Sequence, residues 1–225
     1  MGWQAAQSAA LIDLAEMADL GSSALLPRTG LLNFFYDSDG QQAWGFSPDH
    51  VDGWRVIYVP ADLAEAATEP TSATTFAPHG LTAVSTLTIP GWEEPVLADL
   101  SSVDCDRLGE LNDAWREVIG LSGEWPEGDP HHQIGGWPDL VQGPLWLQAQ
   151  LASNGIDVGG PHGYEDPRAA ALSDGARDWE LLLQLDTDDD LGWMWGDVGR
   201  LYYTIKTDAL VRGDFSRCWM HLQCG

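Results

Sequence analysis

The chain of 225 residues is long enough to bury a sizeable core, and its 44% hydrophobic content with 12 tryptophans excludes a disordered protein. Acidic residues number 35 against 10 Lys and Arg, for a net charge of −25, which excludes binding to a nucleic-acid backbone because that binding needs many cations. The charge suits a basic protein partner, a divalent cation or plain solubility, and a well-solvated acidic surface is the simplest explanation.

The first hundred residues predict short strands separated by turns. β-Prone runs predict strands over Leu31–Tyr36 (LLNFFY) and Trp54–Val59 (WRVIYV), with a turn at Asp37–Gly40 between them. Partial alternation of apolar and polar residues predicts another strand over Leu81–Ile89. The other segments predict one or two helical turns over Ala15–Leu20, a short helix over Asp62–Ala67 and a surface loop over residues 68–78.

The second half opens with the strongest helical pattern. Val103–Leu121 predicts a helix capped by Ser101 or Ser102, with one core-facing side formed by Leu108, Leu111, Trp115 and Val118. The order Gly135-Gly136-Trp137-Pro138 predicts a tight bend with an aromatic lid. The rest predicts helices over Leu145–Leu151, Arg168–Ala176 and Thr207–Leu210, and strands over Leu181–Leu185, Leu201–Ile205 and Phe215–Gln223.

A weak internal repeat links the two halves. Ile12-Asp13, a linker, and then Gly30, Leu32 and Phe34 match Leu185-Asp186, a linker, and then Gly199, Leu201 and Tyr203. Each copy would form a hairpin that cannot bury its apolar face alone, so the two are expected to share one core. We therefore predict one domain of two related halves over residues 1–225, with a first repeat at about 1–100 and a second at about 101–225.

Several segments, taken in order, resemble the YwqG-like family, a bacterial family of undefined function. They are LLNFFYDSDGQQAWGFSP, WRVIYVP, HQIGGWPDLVQ, LLLQLDTDD, WGDVGRLYY and DFSRCWMHLQC, and together they span about Leu11 to Cys224. The resemblance implies an α+β, mainly β fold with two structural repeats and a few short peripheral helices, and it carries over no catalytic residue. Family members usually begin with an earlier Gly-Gly-x-Pro segment, the counterpart of Gly135–Pro138, and its absence implies either a shortened or a degenerate first repeat in this chain.

The cysteine spacing and the length of the apolar segments indicate the cellular location. Cys105, Cys218 and Cys224 form no Cys-x-x-Cys pair, so neither a disulfide framework nor a zinc knuckle is indicated. No basic region precedes a long apolar core at the N-terminus, and no apolar run approaches transmembrane length. We expect a cytoplasmic protein with no membrane contact and no cofactor, and the sequence leaves the oligomeric state open.

The acidic turn that begins at Asp186 is a weak candidate for a metal site. Asp186, Asp188 and Asp190 have the spacing of the first, third and fifth ligands of a calcium loop, with Asp197 at the twelfth position. Gly192 falls one position too late, the twelfth residue is Asp rather than Glu, and flanking amphipathic helices are missing from the pattern. A solvated acidic turn explains the spacing better than calcium does.

Strong catalytic motifs are missing from the sequence. The histidines include the pair His131-His132 but show no His-x-x-x-His spacing, and paired carboxylates are uninformative in so acidic a chain. The sequence also lacks a Gly-x-Ser-x-Gly elbow, a P-loop and a dinucleotide fingerprint. These absences favour binding over catalysis.

Two hypotheses from different classes remain open. The first is a non-enzymatic acidic module that binds a basic protein, for example an immunity-type protein that neutralises a basic effector by electrostatically steered association. The second is a binding protein for a carbohydrate-like ligand, or a hydrolase, with a pocket between the two halves. Candidate ligand or partner residues are His132, Trp137, Trp193, Trp195 and Asp197, although packing of the three tryptophans over the β core is the simpler alternative.

Overall fold

The computed structural model of the chain describes residues 7–20, 25–63, 76–91, 94, 97, 102–121 and 128–225, without the side chains of residues 102, 103 and 105. Within these ranges the strands are β1 (Gln7–Asp13), β2 (Leu31–Tyr36), β3 (Trp54–Val59), β4 (Trp179–Asp186), β5 (Arg200–Lys206) and β6 (Trp219–Gln223). The α-helices are α1 (Leu14–Ala18), α2 (Ser102–Val118), α3 (Leu145–Ala152), α4 (Pro161–Tyr164), α5 (Ala169–Leu172) and α6 (Thr207–Val211). Short 3-10 helices lie at Pro48–Gly53, Ala61–Leu63, Ser173–Asp178 and Phe215–Arg217.

The strands form two antiparallel sheets of three strands each. Their order is β1-β2-β3 in the first sheet and β4-β5-β6 in the second. Aromatic and β-branched residues are frequent in both central strands (LLNFFY in β2 and RLYYTIK in β5), and such side chains pack well on a pleated surface. Together with the short helices, the two sheets confirm the predicted α+β, mainly β class.

The two sheets share their local geometry. Ile12 lies opposite Leu32 in the first sheet, as Leu185 lies opposite Leu201 in the second. In both β1 and β4 the pairing register shifts around the fourth residue before the end of the strand. Because a bulge bends its strand and increases the local twist, the two hairpins curve in a similar way.

Aromatic rings fill the space between the two sheets. The Trp54 indole donates a hydrogen bond to Cys218 O at 3.2 Å, which links β3 to the residue that precedes β6. Edge-to-face contacts add about 0.5–1.5 kcal/mol per pair beyond the burial of area, so this layer stabilises the shared core. Three such pairs cross it, with ring centroids 5.1 to 6.0 Å apart: Phe34 with Tyr203, Tyr36 with Trp195, and Trp54 with Trp219.

The outer faces of the two sheets differ. In the second sheet nearly every residue of all three strands is buried, because α3 packs against it and residues 131–135 run along β4. In the first sheet Leu11 and Ile57 are 58% and 44% exposed on either side of Asn33. Within the described ranges β1 pairs with β2 alone, so an apolar stripe and one strand edge of the first sheet stay open.

The loop that connects β2 to β3 lies against the second sheet. The backbone N–H of Leu222 donates to Trp44 O at 3.1 Å, and the Trp219 indole donates to Gly45 O at 2.7 Å. Gly45 has a φ of +82°, and a Cβ atom at this position would lie 1.9 Å from Met220 O. Only glycine allows both this backbone conformation and this close approach.

The predicted strands in the two hairpins are confirmed, and Leu31–Tyr36 and Trp54–Val59 match to the residue. The strand predicted over Leu81–Ile89 is wrong, because residues 76–91 have no regular structure and Leu87 is 83% exposed. An alternating segment forms a strand only where another strand edge pairs with it, and this segment pairs with none of the described strands.

The helix predicted over Val103–Leu121 is observed as α2, but its core face is wrong in part. Leu111 and Val118 are 53% and 84% exposed, while Leu108 and Trp115 are half-buried. The physical reason is that α2 lies over a cavity formed with neighbouring loops and has no extensive contact with the described strands of either sheet.

Some predictions fall outside the described residues. They are the helix cap at Ser101, residues 64–67 of the predicted helix Asp62–Ala67, and the loop 68–78 as far as residue 75. The side chain of Cys105 is not described either. Among the helices that the structure describes, none combines the length and the apolar character needed to cross a membrane.

His221 is a buried histidine in β6. It is 1% exposed and lies opposite Tyr202, and neither ring nitrogen has a hydrogen-bond partner among the described residues. Burial, with a smaller effect of the nearby His50 ring, lowers the pKa of His221 to about 3. The folded protein therefore holds this ring in its neutral form at neutral pH.

We predict that the substitution His221→Phe changes how stability depends on pH. The unfolded chain takes up a proton at His221 near pH 6.5 and the folded chain only near pH 3. The native protein therefore loses stability as the pH falls through this window, by about 1.4 kcal/mol per pH unit and about 5 kcal/mol in total. In urea unfolding between about pH 7 and pH 4, the unfolding free energy of the variant should rise relative to that of the native protein as the pH falls.

The matched control is His162→Phe, because the side chain of His162 is 98% exposed. The difference in unfolding free energy between this control and the native protein should stay nearly constant over the same pH range. If the difference in unfolding free energy between His221→Phe and the native protein is equally independent of pH, the His221 ring is not buried in its neutral form.

We also predict that Gly45→Ala is strongly destabilising. The added Cβ atom would collide with the backbone at Met220 and would strain a left-handed conformation, which together should lower the unfolding free energy by about 2–4 kcal/mol. Gly80→Ala is the control, because a Cβ atom there meets nothing within 4 Å. Equal urea midpoints for the two variants would show that the contact between residues 43–46 and β6 is not needed for stability.

Candidate functional site

A glycine bend beside β4 organises the region with most of the candidate residues. Gln133 pairs with Gln184 of β4 through two backbone hydrogen bonds of 3.0 and 2.8 Å. Gly135 and Gly136 then adopt φ values of +67° and +73°, which turn the chain back on itself as predicted. The Gln133 amide donates to Gly135 O at 2.6 Å and to Trp137 O at 2.7 Å, so it closes the bend from inside.

Arg200 is buried beneath this bend between two aspartates. Its Nε donates to Asp186 Oδ2 at 2.8 Å, and its Nη1 lies 2.8 Å from both Asp139 Oδ2 and Asp139 O. Asp186 Oδ2 also accepts the backbone N–H of His131 at 3.0 Å. The Arg200 side chain is 2% exposed, so its pairing with the likewise buried Asp186 is shielded from water, while Asp139 stays half-buried.

Asp139 is the point where several polar groups meet. Arg116 from α2 lies 3.2 Å from its carboxylate, and His131 Nδ1 lies at 3.6 Å. Burial by itself would raise the pKa of Asp139, but the His131 ring and the charges of Arg200 and Arg116 outweigh it and lower the pKa to about 2. The carboxylate therefore stays ionised at neutral pH and is a poor general base.

His132 links the acidic turn that follows β4 to the segment of residues 131–135. Its Nδ1 accepts the backbone N–H of Asp186 at 3.1 Å, so the proton is assigned to Nε2, which donates to Asp188 Oδ2 at 3.1 Å. The turn is further closed by paired backbone hydrogen bonds between Asp188 and Trp193. Both ring nitrogens of His132 are thus used in holding the turn in place.

The four aspartates that were weak candidates for calcium are separated by these contacts. Asp186 is engaged with Arg200, and Asp188 Oδ1 accepts the backbone N–H groups of Asp190 and Leu191. Asp190 and Asp197 point to solvent. Within the described residues, no three His, Cys, Asp or Glu side chains lie close enough to hold a metal ion.

The three candidate tryptophans have different positions. Trp193 and Trp195 are 7% and 0% exposed, and the Trp195 indole donates to Asp186 O at 3.0 Å. Both rings are therefore part of the core and not of an exposed surface. Trp137 is half-buried and lines a cavity, while Asp197 is exposed beside the C-terminus, where its carbonyl accepts from Gly225 N at 3.3 Å.

The cavity has a volume of about 560 Å³ and lies beside α2. Its walls are residues 89–91, residues 137–143, and one side of α2 with Leu108 and Trp115. It does not lie at the junction of the two sheets, where the second hypothesis expects a pocket, because aromatic rings fill that space. Of the three candidate tryptophans only Trp137 lines it.

Sequence reasoning missed the polar network of this region, which consists of Arg116, His131, Asp139 and Arg200. One signal was available for Arg200. It is one of only 10 cationic residues and it opens an apolar strand directly after Gly199, a position where a charge is rare unless it is paired.

Residues 7–224 match the model of a family described as Domain of unknown function (DUF1963). The chain belongs to this family. No curated protein matches the chain. Because the DUF1963 match spans both sheets, α2 and the glycine bend, the buried network and the cavity lie within the family domain.

We predict that Arg200→Met is the most destabilising change in this region. It would leave the buried Asp186 without a cation and the half-buried Asp139 with Arg116 alone, at a cost of about 3–5 kcal/mol. Arg200→Lys should lose less, because a single ammonium keeps a charge but cannot bridge both carboxylates. The unfolding free energy in urea, with far-UV circular dichroism to check folding, measures both effects.

Arg168→Met provides the control, because Arg168 forms its ion pair with Asp166 at the surface with the arginine side chain 58% exposed. An ion pair at the surface should contribute little to the unfolding free energy, because solvent screens it. If Arg200→Met and Arg168→Met lower the unfolding free energy by the same amount, the buried network does not stabilise the fold.

Proposed function

We propose that this DUF1963 protein is a non-enzymatic binding module whose acidic turn engages a basic protein partner. Immunity-type neutralisation of a basic effector is one instance of this function. We define the acidic turn surface as Asp189, Asp190, Met194 and Asp197, all of which are exposed on the segment between β4 and β5. The observation that carries the proposal is that this fixed turn carries three exposed carboxylates and one exposed apolar side chain.

The charge distribution supports this function. Of the 10 Lys and Arg side chains, five are held in ion pairs with aspartates: Arg55, Arg116, Arg168, Arg200 and Arg212. The cations are thus partly consumed within the molecule, while 35 acidic residues set a strongly negative field. Such a field raises the rate at which a basic partner associates, and salt screens it.

The rigidity of the acidic turn surface also supports the proposal. Gln41 from the turn after β2 donates to Met194 O at 2.9 Å and accepts from Gly196 N at 2.8 Å. His132 holds the opposite side of the turn through Asp188. A surface that is ordered before binding loses little conformational entropy, and the flexible thioether of Met194, which is 47% exposed, can adapt to a partner.

The chemistry of the buried titratable groups favours binding over catalysis. Asp139 is ionised and already paired, and the pKa of His221 is lowered to about 3, so neither suits proton transfer at neutral pH. Burial raises the pKa of the Cys218 thiol, which makes it a weak nucleophile. Cys218 and Cys224 are free and buried, as suits the cytoplasmic location that we propose.

We propose further that the chain is one domain built from two related halves, as in the YwqG-like family that it resembles. The equal strand order, the equivalent bulges in β1 and β4, and the glycine before the second strand of each sheet support this view. The aromatic layer shared by the sheets supports a single cooperative unit.

The experiment compares two variants that carry the same change in net charge. The first neutralises the acidic turn surface (Asp189→Asn, Asp190→Asn and Asp197→Asn), and the control neutralises three exposed acids elsewhere (Glu165→Gln, Asp174→Asn and Asp178→Asn). Immobilised native protein and control should retain basic proteins of the source cell at about 50 mM salt, and the first variant should not.

The affinity of a retained protein, once purified, should fall at least about tenfold for the first variant and less than about twofold for the control. It should also fall steeply between about 50 and 500 mM salt, since steering between exposed charges is screened. Equal affinities for the two variants, or a complex indifferent to salt, would refute the proposed function.

A further inference from the structure

The cavity beside α2 has the size and the walls of a small-ligand site, and the acidic turn surface does not explain it. Its volume of about 560 Å³ lies within the range of about 300–1,000 Å³ that is typical of ligand pockets. Apolar side chains, among them Leu108, Trp115, Trp137 and Leu140, form most of the lining. Such a site can hold an apolar group of a few carbon atoms together with one polar head.

Trp115 and Trp137 are positioned by contacts made outside the cavity. The Trp115 indole N–H donates to Leu87 O, and its ring lies 5.7 Å from the ring of His131. The backbone N–H of Trp137 donates to Thr88 Oγ1 at 2.9 Å, which holds that residue at the end of the glycine bend. Because the indole donor of Trp115 is used, what this ring offers a ligand is its π system, to which cations are attracted.

The charged groups of the cavity lining are carboxylates. Asp106 on α2 is exposed and makes no ion pair within the described residues, and Asp139 also belongs to the lining. Asn112 and Gln142 supply the side-chain amides of the lining, and none of its described residues is Lys, Arg or His. An anion would therefore find no positive charge in the lining, whereas a cation would meet the Asp106 carboxylate.

We infer that this cavity binds an organic cation, an ammonium or guanidinium group carried on an apolar body. The indoles of Trp115 and Trp137 stack on the cation, and Asp106 supplies the countercharge, while Asp139 is largely neutralised by Arg200 and Arg116. The net charge of −25 raises the local concentration of cations at the entrance. The cation can belong to a free small molecule or to an arginine or lysine side chain of a protein.

Calorimetric titration with a matched pair of probes tests this inference. N-acetyl-arginine amide carries the guanidinium, and N-acetyl-citrulline amide has the same shape without the charge. The native protein should bind the arginine compound at least about tenfold more tightly than the citrulline compound. N-acetylglucosamine tests the carbohydrate alternative, and it should bind more weakly than the arginine compound.

Two variants locate the binding. Asp106→Asn should weaken binding of the arginine compound at least about fivefold, while Asp113→Asn, an exposed carboxylate on the same helix that does not line the cavity, should change it less than twofold. Trp137→Leu, checked for folding by its melting temperature, should also weaken binding. Loss of binding in Asp106→Asn with an unchanged melting temperature separates recognition from damage to the fold.

An acetyl-Gly-Arg-Gly-amide peptide distinguishes the two sources of the cation, when its affinity is compared with that of the arginine compound. Tighter binding of the peptide than of the single amino-acid amide indicates a protein side chain, and weaker binding indicates a free small molecule. Equal binding of the arginine and citrulline compounds, stronger binding of the sugar, or no binding of the arginine compound at about 10 mM would each overturn the inference. The variant that neutralises the acidic turn surface should bind the arginine compound like the native protein, so this test is independent of the proposed function.

Discussion

The placement of Arg200 between two aspartates is the constraint on which the candidate site depends. A carboxylate that stays ionised inside a protein needs a cation or hydrogen-bond donors beside it, and this chain has only 10 Lys and Arg to supply cations. Arg200 meets this need for Asp186, which opens the acidic turn, and for Asp139, which follows the glycine bend. One guanidinium therefore fixes the positions of the acidic turn and of one wall of the cavity relative to the second sheet.

The sequence predicts the strands well where local preference and tertiary environment agree. Leu31–Tyr36 and Trp54–Val59 are rich in aromatic and β-branched residues and also find partner strands. The segment Leu81–Ile89 has a similar alternation, but it pairs with no described strand, and only tertiary structure decides this. The same reason explains α2, whose helical period is correct while Leu111 and Val118 face solvent.

The candidate site could be predicted only in part, because its contacts join residues far apart in sequence. His132 and Trp137 were recognisable from unusual local composition, and both lie in the region of interest. The pairing of Arg200 with Asp139 spans 61 positions and leaves no periodic trace in the sequence. The burial of Trp193 and Trp195 was equally hidden, because a tryptophan in an acidic turn can pack inward or outward.

The open side of the first sheet gives the excess of acidic residues a second physical meaning. Leu11 and Ile57 lie exposed on β1 and β3, the outer strands of this sheet, and the outer edge of β1 pairs with no described strand. Such open edges favour edge-to-edge pairing between molecules. Mutual repulsion between molecules of charge −25 keeps these edges apart. The protection comes from repulsion between whole molecules rather than from a structural cover, and it vanishes near the isoelectric point of about 4.1, where the net charge falls to zero.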